Sequence, residues 1–368
     1  MNEDFLHKKL NERKEQNAYR QLRLSENKID FCSNDYLGIV KKELLARPSS
    51  INHRPSQVLR HGSTGSRLLA GNYRLIEETE KLIADFHEAE TGLIFNSGYD
   101  ANVGLLSCVP QRGDTIIYDY LSHASIRDGI RLSFADSFSF AHNRLDDLEK
   151  RLKAAQGNIF VVTESVFSMD GDFAPLNEIA LLCGEYNAHL IIDEAHATGV
   201  IGEKGEGLVQ HLSLQKKCFA RMHTFGKAVG CHGAVVLGSE TLRNYLINFS
   251  RAFIYTTALP EAGIANIKSA YGIFPELNME RVHLKNLIDQ FQNSIIGFAR
   301  LESSTPIQVV IIPGNEEVKK IALHLQQKNF DVRPIVYPTV PKGSERLRIV
   351  MHSFNTEDEV SGLVELLR

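Results

Sequence analysis

Residues 158–196 read NIFVVTESVFSMDGDFAPLNEIALLCGEYNAHLIIDEAH, and this stretch decides the fold. NIFVVTE (158–164) is a short, continuous apolar run. PLNEIALLCGEYN (175–187) repeats its apolar residues at helical spacing, and HLIID (189–193) is a second apolar run that stops at a carboxylate. Short continuous Val/Ile/Leu runs separated by amphipathic helices are buried on both faces, the habit of a mostly parallel sheet. Upstream the same alternation holds. RLIEETEKLIADFHE (74–88), ANVGLLSC (101–108), HASIRDGIRL (123–132) and RLDDLEKRLKAA (144–155) read as helices, TGLIFN (91–96) and TIIYD (115–119) as strands. Downstream, GAVVLG (233–238) adds a further strand. Beyond about residue 260 the texture changes: two long helical stretches lead to QVVIIP, a helix, NFDVRP, RLRIVM and a last helix.

The expected fold class is therefore α/β: a large domain with a mostly parallel sheet flanked by helices, and a small α+β C-terminal domain. We place an N-terminal arm at 1–45, the large domain at 46–262 and the small one at 263–368. A chain of 368 residues agrees with more than one core. The formal net charge of −4 and the absence of a Lys/Arg block argue against nucleic acid. No window reaches the roughly 20 apolar residues of a membrane span, and the polar N-terminus resembles no signal or transit peptide. Five scattered cysteines without a CxxC pair read as reduced thiols of a cytoplasmic protein with no metal site.

Four short stretches carry chemistry. In TFGKAVGCHGA (224–234), Lys227 stands among glycines. Read alone, it is either a solvated lysine beside a loop or a Schiff-base lysine whose glycines let the backbone hug a planar cofactor. In HLIIDEAHATG, Asp193 ends a strand and His196 follows three residues later. A carboxylate there lies where α/β enzymes place ligands and favours a protonated pyridine nitrogen; the other readings of the spacing are a strand-end cap or metal ligation, and no third ligand cluster accompanies the pair. FNSGYDAN breaks a strand at Ser97-Gly98 and opens a helix at once, which suits either phosphate on free N–H groups or a plain capped turn. His123 of SHAS is a structural histidine or a ring stacked on a flat cofactor. The order and spacing of the four are those of fold-type I enzymes that use pyridoxal 5′-phosphate (PLP).

The chain also resembles the α-oxoamine synthase family in FCSNDYLG (31–38), HGSTGSRLLAGN (61–72), VVTESVFSMDGDFAPL (161–176), DEAHATGVIGEKGEG (193–207), YTTALP (255–260) and PTVPKGSERLRI (338–349). What the resemblance implies is a decarboxylative condensation of an amino acid with an acyl thioester, releasing CoA and carbon dioxide. L-alanine and pimeloyl-CoA, or a pimeloyl carrier protein, are the favoured substrates; other members take glycine or serine. A plain aminotransferase, or a PLP-fold regulatory protein, is the further alternative. Carried over, Lys227 holds PLP and moves the α-proton, Asp193 pairs with the ring nitrogen, His196 faces the phenolic oxygen and His123 stacks on the ring. Ser97, Gly98, Tyr99 and Thr224 lie near the phosphate, and Ser168 near cofactor and substrate. Asn34 and Arg348 meet the amino acid, with Arg346 on the same strand as a second candidate. Arg20 or Arg23 meets the acyl thioester. The family acts as a homodimer with shared sites, so Thr256 or Thr257 reaches the partner's phosphate. One departure stands out: after RLRI this chain reads VMHSFNTEDE, with His352 early and Asn355 where many members have a histidine.

Overall fold

In a computed structural model, residues 2–22, 24, 27–45 and 59–368 are described. In chain order they form α1 (Asp4–Glu15), β1 (Ile29–Asp30), α2 (Arg74–Phe86), β2 (Thr91–Phe95), α3 (Gly98–Leu106), β3 (Thr115–Asp119), α4 (Ala124–Leu132), β4 (Asp136–Phe140), α5 (Leu145–Ala154) and β5 (Ile159–Glu164). There follow α6 (Leu176–Glu185), β6 (His189–Asp193), α7 (Leu208–His211), β7 (Cys218–Thr224), β8 (Ala234–Gly238), α8 (Glu240–Phe249), α9 (Arg251–Ile254) and α10 (Glu261–Tyr271). The chain finishes with α11 (Asn278–Asn293), β9 (Ala299–Arg300), β10 (Ile307–Ile311), α12 (Asn315–Gln327), β11 (Phe330–Asp331), β12 (Arg333–Ile335), β13 (Arg346–Val350) and α13 (Glu357–Leu366).

Two compact units result. The larger holds Leu37–Ser168 and Phe173–Met279; the smaller holds Met1–Tyr36, Met169–Asp172 and Glu280–Arg368. The division differs from the expected boundary at 262/263 because α10 packs on α2. Its Tyr271 hydroxyl meets the buried His87 ring at 3.0 Å, and Lys268 reaches Glu78 at 3.1 Å. Residue 46, the expected start of the large domain, lies outside the described residues.

The larger unit is built on a seven-stranded sheet in the order β2-β8-β7-β6-β5-β3-β4, counted among the described residues. β7, β6, β5, β3 and β4 are parallel, while β8 runs antiparallel to both its neighbours. One face buries Leu93, Ile116, Phe160, Val162, Ile191 and Val236 against Ala101, Leu105, Ile126 and Ile130 of α3 and α4. Gly129 sets the distance between those two helices: a Cβ there would come within 2.9 Å of the Asn102 carbonyl oxygen. Close α3–α4 packing matters because both helices start at the carboxyl ends of strands, where the site forms.

Beside this sheet Arg67 is clamped. Its two terminal nitrogens donate to the Glu80 carboxylate at 2.7 and 3.2 Å, with both side chains buried, and Glu80 also accepts the Ile94 N–H at 2.9 Å. Glu80 also meets Arg243 at 3.4 Å, so removing Arg67 weakens its pairing without stranding its charge. Arg67→Ala is expected to lower the unfolding free energy by about 1.5–3 kcal/mol, measured by urea denaturation.

The smaller unit has an antiparallel sheet, β12-β13-β10-β9, and a short parallel pair, β1-β11. Thr356 caps α13 in a reciprocal capping box with Glu359. Just before it, buried His352 and Asn355 interlock. The Asn355 side-chain oxygen takes the His352 N–H at 3.0 Å and lies 3.0 Å from ring Nδ1, while ring Nε2 lies 3.0 Å from Ser33 Oγ. The departure noted in the sequence is thus a buried latch between the end of β13 and the 31–36 segment. Among the described residues no helix is long and apolar enough to cross a membrane.

Candidate active site

The carboxyl ends of β5, β6 and β7 and the starts of α3 and α4 enclose a cavity of about 170 Å³ in the larger unit. Lys227, Asp193, His196, His123, Thr224, Gly98 and Tyr99 line it. Lys227 comes from a tight excursion between β7 and β8. Phe225 N–H bonds the Gly233 carbonyl and Gly230 N–H bonds the Lys227 carbonyl, both at 2.8 Å. Gly230 and Gly233 have φ of +65° and +111°, left-handed values that side chains resist. The half-buried Lys227 amine stands 2.7 Å from His196 Nε2.

Asp193 ends β6 and is buried. Its Oδ1 accepts the Ala195 N–H and its Oδ2 accepts the Asn102 side-chain amide, each at 2.8 Å. Two directed donors fix this carboxylate. Asn102 also donates to Ser125 Oγ at 3.0 Å, and Ser125 Oγ lies 2.8 Å from His123 Nδ1. His123 is the N-cap of α4, its Nδ1 accepting the Ser125 N–H. Burial pushes its imidazole below the ordinary range, with Asp193 opposing and Lys227 adding to the shift, which favours a neutral ring. Ser97 caps α3 by accepting the Asp100 N–H at 3.0 Å. The N–H groups of Gly98 and Tyr99, at the helix start, have no intrahelical acceptor and suit an anion. Tyr99 is half exposed, and its hydroxyl donates to Asp128 at 2.6 Å.

Other residues singled out in the sequence fall elsewhere. Ser168 follows buried Phe167 and does not line the cavity. Thr256 Oγ1 accepts the Asn96 side-chain amide at 2.9 Å, and that amide also bonds the carbonyl of exposed Thr257 at 2.8 Å; neither threonine lines the cavity. In the smaller unit, Arg348 donates to Asn34 Oδ1 at 3.0 Å, and the Tyr36 hydroxyl donates to the same oxygen at 3.1 Å. Arg346 is buried and paired with Asp170 and the Met169 carbonyl, which leaves Arg348 the more accessible of the two. Arg20 donates to Thr339 Oγ1 at 3.1 Å, and Arg23 lies outside the described residues. Sequence reasoning missed Asn102, Ser125 and Glu164, all of which line the cavity. Glu164 had one signal: it ends NIFVVTE as Asp193 ends HLIID.

A strand-end carboxylate, a lysine on a glycine loop and a helix start gathered round one pocket define an α/β enzyme of the PLP-dependent kind. The chain belongs to the aminotransferase class I and II family, which it matches over residues 26–367. It is similar to 8-amino-7-oxononanoate synthase of Emericella nidulans, 40% identical over an alignment of 389 positions that covers 99% of this chain and 94% of that protein. Among solved structures it is similar to 8-amino-7-oxononanoate synthase from Francisella tularensis, with 28% identity, a TM-score of 0.76 and coverage of 93% of this chain and 97% of that one. It is likewise similar to Sphingomonas wittichii serine palmitoyltransferase, with 27% identity, a TM-score of 0.82 and coverage of 92% and 86%.

The donor set fits PLP: an amine for its aldehyde, a buried carboxylate for its ring nitrogen, an imidazole for its ring face and a helix start for its phosphate. PLP supplies an electron sink to an amino acid joined to it.

Proposed function

We propose that this chain joins L-alanine to a pimeloyl thioester, carried on CoA or on a carrier protein, with loss of carbon dioxide and the thiol, giving 8-amino-7-oxononanoate. The observation that carries this reading is 40% identity over nearly the whole of both chains to a protein of that name. The fold likeness to serine palmitoyltransferase favours a second reading, with serine or glycine as the amino acid and another acyl chain.

In this reading Lys227 holds the cofactor and afterwards moves the α-proton, its amine oriented by His196 2.7 Å away. Asp193 keeps the ring nitrogen protonated, held in place by Asn102 and Ala195. His196 faces the phenolic oxygen, and His123 covers one ring face. Gly98, Tyr99, Ser97 and Thr224 serve the phosphate, with Ser168 near the substrate. Arg348, seated by Asn34, takes the amino-acid carboxylate with its planar fork, and Arg20 or Arg23 serves the acyl group. The enzyme works as a cytoplasmic homodimer, with Thr256 or Thr257 reaching the partner's phosphate.

Free-thiol release tests the substrates, with L-alanine, glycine and L-serine each paired with pimeloyl-CoA and palmitoyl-CoA. L-alanine with pimeloyl-CoA is expected to be fastest; release confined to serine and palmitoyl-CoA overturns the first reading. A charge-assisted hydrogen bond is worth about 1.5–3 kcal/mol. Arg348→Ala is therefore expected to raise KM for the amino acid about ten- to hundredfold, read from initial rates at saturating thioester.

A further inference from the structure

Glu164 and Asp193 end adjacent parallel strands and are register partners, and both are almost wholly buried. Their surroundings differ. Asp193 collects a donor on each oxygen, from Ala195 and Asn102. Glu164 Oε1 accepts the backbone N–H of His123 at 2.6 Å, at the point where α4 begins. Two neighbouring buried carboxyls do not both ionise readily, and the charge settles on the better-solvated one.

We propose that Glu164 is a positioning residue for the cofactor site: a proton-carrying carboxyl that seats His123 through its backbone N–H and leaves the negative charge of the pair to Asp193. Burial pushes Glu164 well above the usual carboxylate range, and Asp193 and Asp119 add to this; the His123 N–H and the Lys227 amine oppose it. A second anion there would also compete with Asp193 for the cationic ring nitrogen. A neutral acid supplies the acceptor that His123 needs without that competition. The inference rests on the reading of this cavity as the PLP site.

The test titrates purified holoenzyme, following the visible band of bound PLP against pH and the dissociation constant for PLP by dialysis. Glu164→Gln keeps an oxygen for the His123 N–H and puts an NH2 group where the acid carries its proton. Its pH midpoint is expected to stay within about 0.3 unit of wild type and its PLP affinity within threefold, since no charge is lost. Glu164→Ala is expected to weaken PLP at least tenfold, because the His123 N–H loses its acceptor. An ionised Glu164 would stabilise protonated Lys227 nitrogen, so its removal in Glu164→Gln would lower the midpoint by about one unit or more; that drop overturns the inference. So does a folded Glu164→Ala that binds PLP like wild type. Should thermal unfolding show that Glu164→Ala does not fold, the Gln midpoint decides alone. Wild-type protein that shows no visible band with PLP overturns the cavity reading and this inference together, whereas a normal wild-type band with a lowered Gln midpoint overturns the inference only.

Discussion

Lys227→Ala is expected to lower kcat by about 10⁴-fold, the upper end for loss of a positioned proton-transfer group, and to abolish the visible band of bound PLP. The variant should fold. Lys227 is half-buried, and the contacts shaping its loop are backbone bonds, Gly230 N–H to the Lys227 carbonyl and Phe225 N–H to the Gly233 carbonyl. Those survive truncation at Cβ. What disappears is the amine 2.7 Å from His196 Nε2. Two measurements check the result. Borohydride reduction of wild type followed by peptide mapping should place the cofactor mass on the peptide holding Lys227. Added small amines should restore part of the lost rate in Lys227→Ala. A variant that keeps a tenth of wild-type kcat would remove Lys227 from the chemistry.

Asp193→Asn has the second largest expected effect, a loss of about 10²-fold in kcat, near the top of what one charge-assisted hydrogen bond supplies. Both carboxylate oxygens of Asp193 accept hydrogen bonds, from Ala195 N–H and from Asn102. An asparagine has one acceptor oxygen, so its NH2 group must face one of these donors. The substitution thus removes the charge that keeps a pyridine nitrogen protonated and also disturbs the carboxylate's own seat. Steady-state kinetics with the amino acid saturating measures it, and a loss under threefold would contradict the role.

Much of this architecture was legible in the chain because buried parallel strands must be apolar throughout. NIFVVTE and HLIID became β5 and β6 on that ground. Two strands of the seven-stranded sheet escaped. β4, DSFSF, is an edge strand with three exposed residues at its start, so it lacks the buried run. β7, CFARMHT, lies inside the sheet but carries Arg221 and His223, which break the apolar pattern. Both are buried, and each finds a polar partner: Arg221 donates to the His87 carbonyl at 2.6 Å, and His223 Nδ1 lies 2.9 Å from Thr198 Oγ1. Such compensation is tertiary and leaves no local mark. The site divides in the same way. Lys227, Asp193, His196 and His123 were visible through residue type beside a glycine loop, strand end or helix start. Asn102 was not, since its place depends on α3 bringing it within 2.8 Å of Asp193; Glu164 offered only its strand end, and its pairing with Asp193 is set by the β5–β6 register.

The latch of His352 and Asn355 has a consequence for descent. The Asn355 oxygen serves both the backbone and the ring of His352 in a fully buried setting. Replacing Asn355 alone leaves the His352 N–H without that acceptor, at about 1–3 kcal/mol, whereas replacing His352 leaves the Asn355 oxygen its backbone bond. The dependence between the two positions therefore runs one way, from 352 on 355. Descent can exchange the side chain at 352 while Asn355 stands, but gives up Asn355 only in a background stable enough to carry the mismatch.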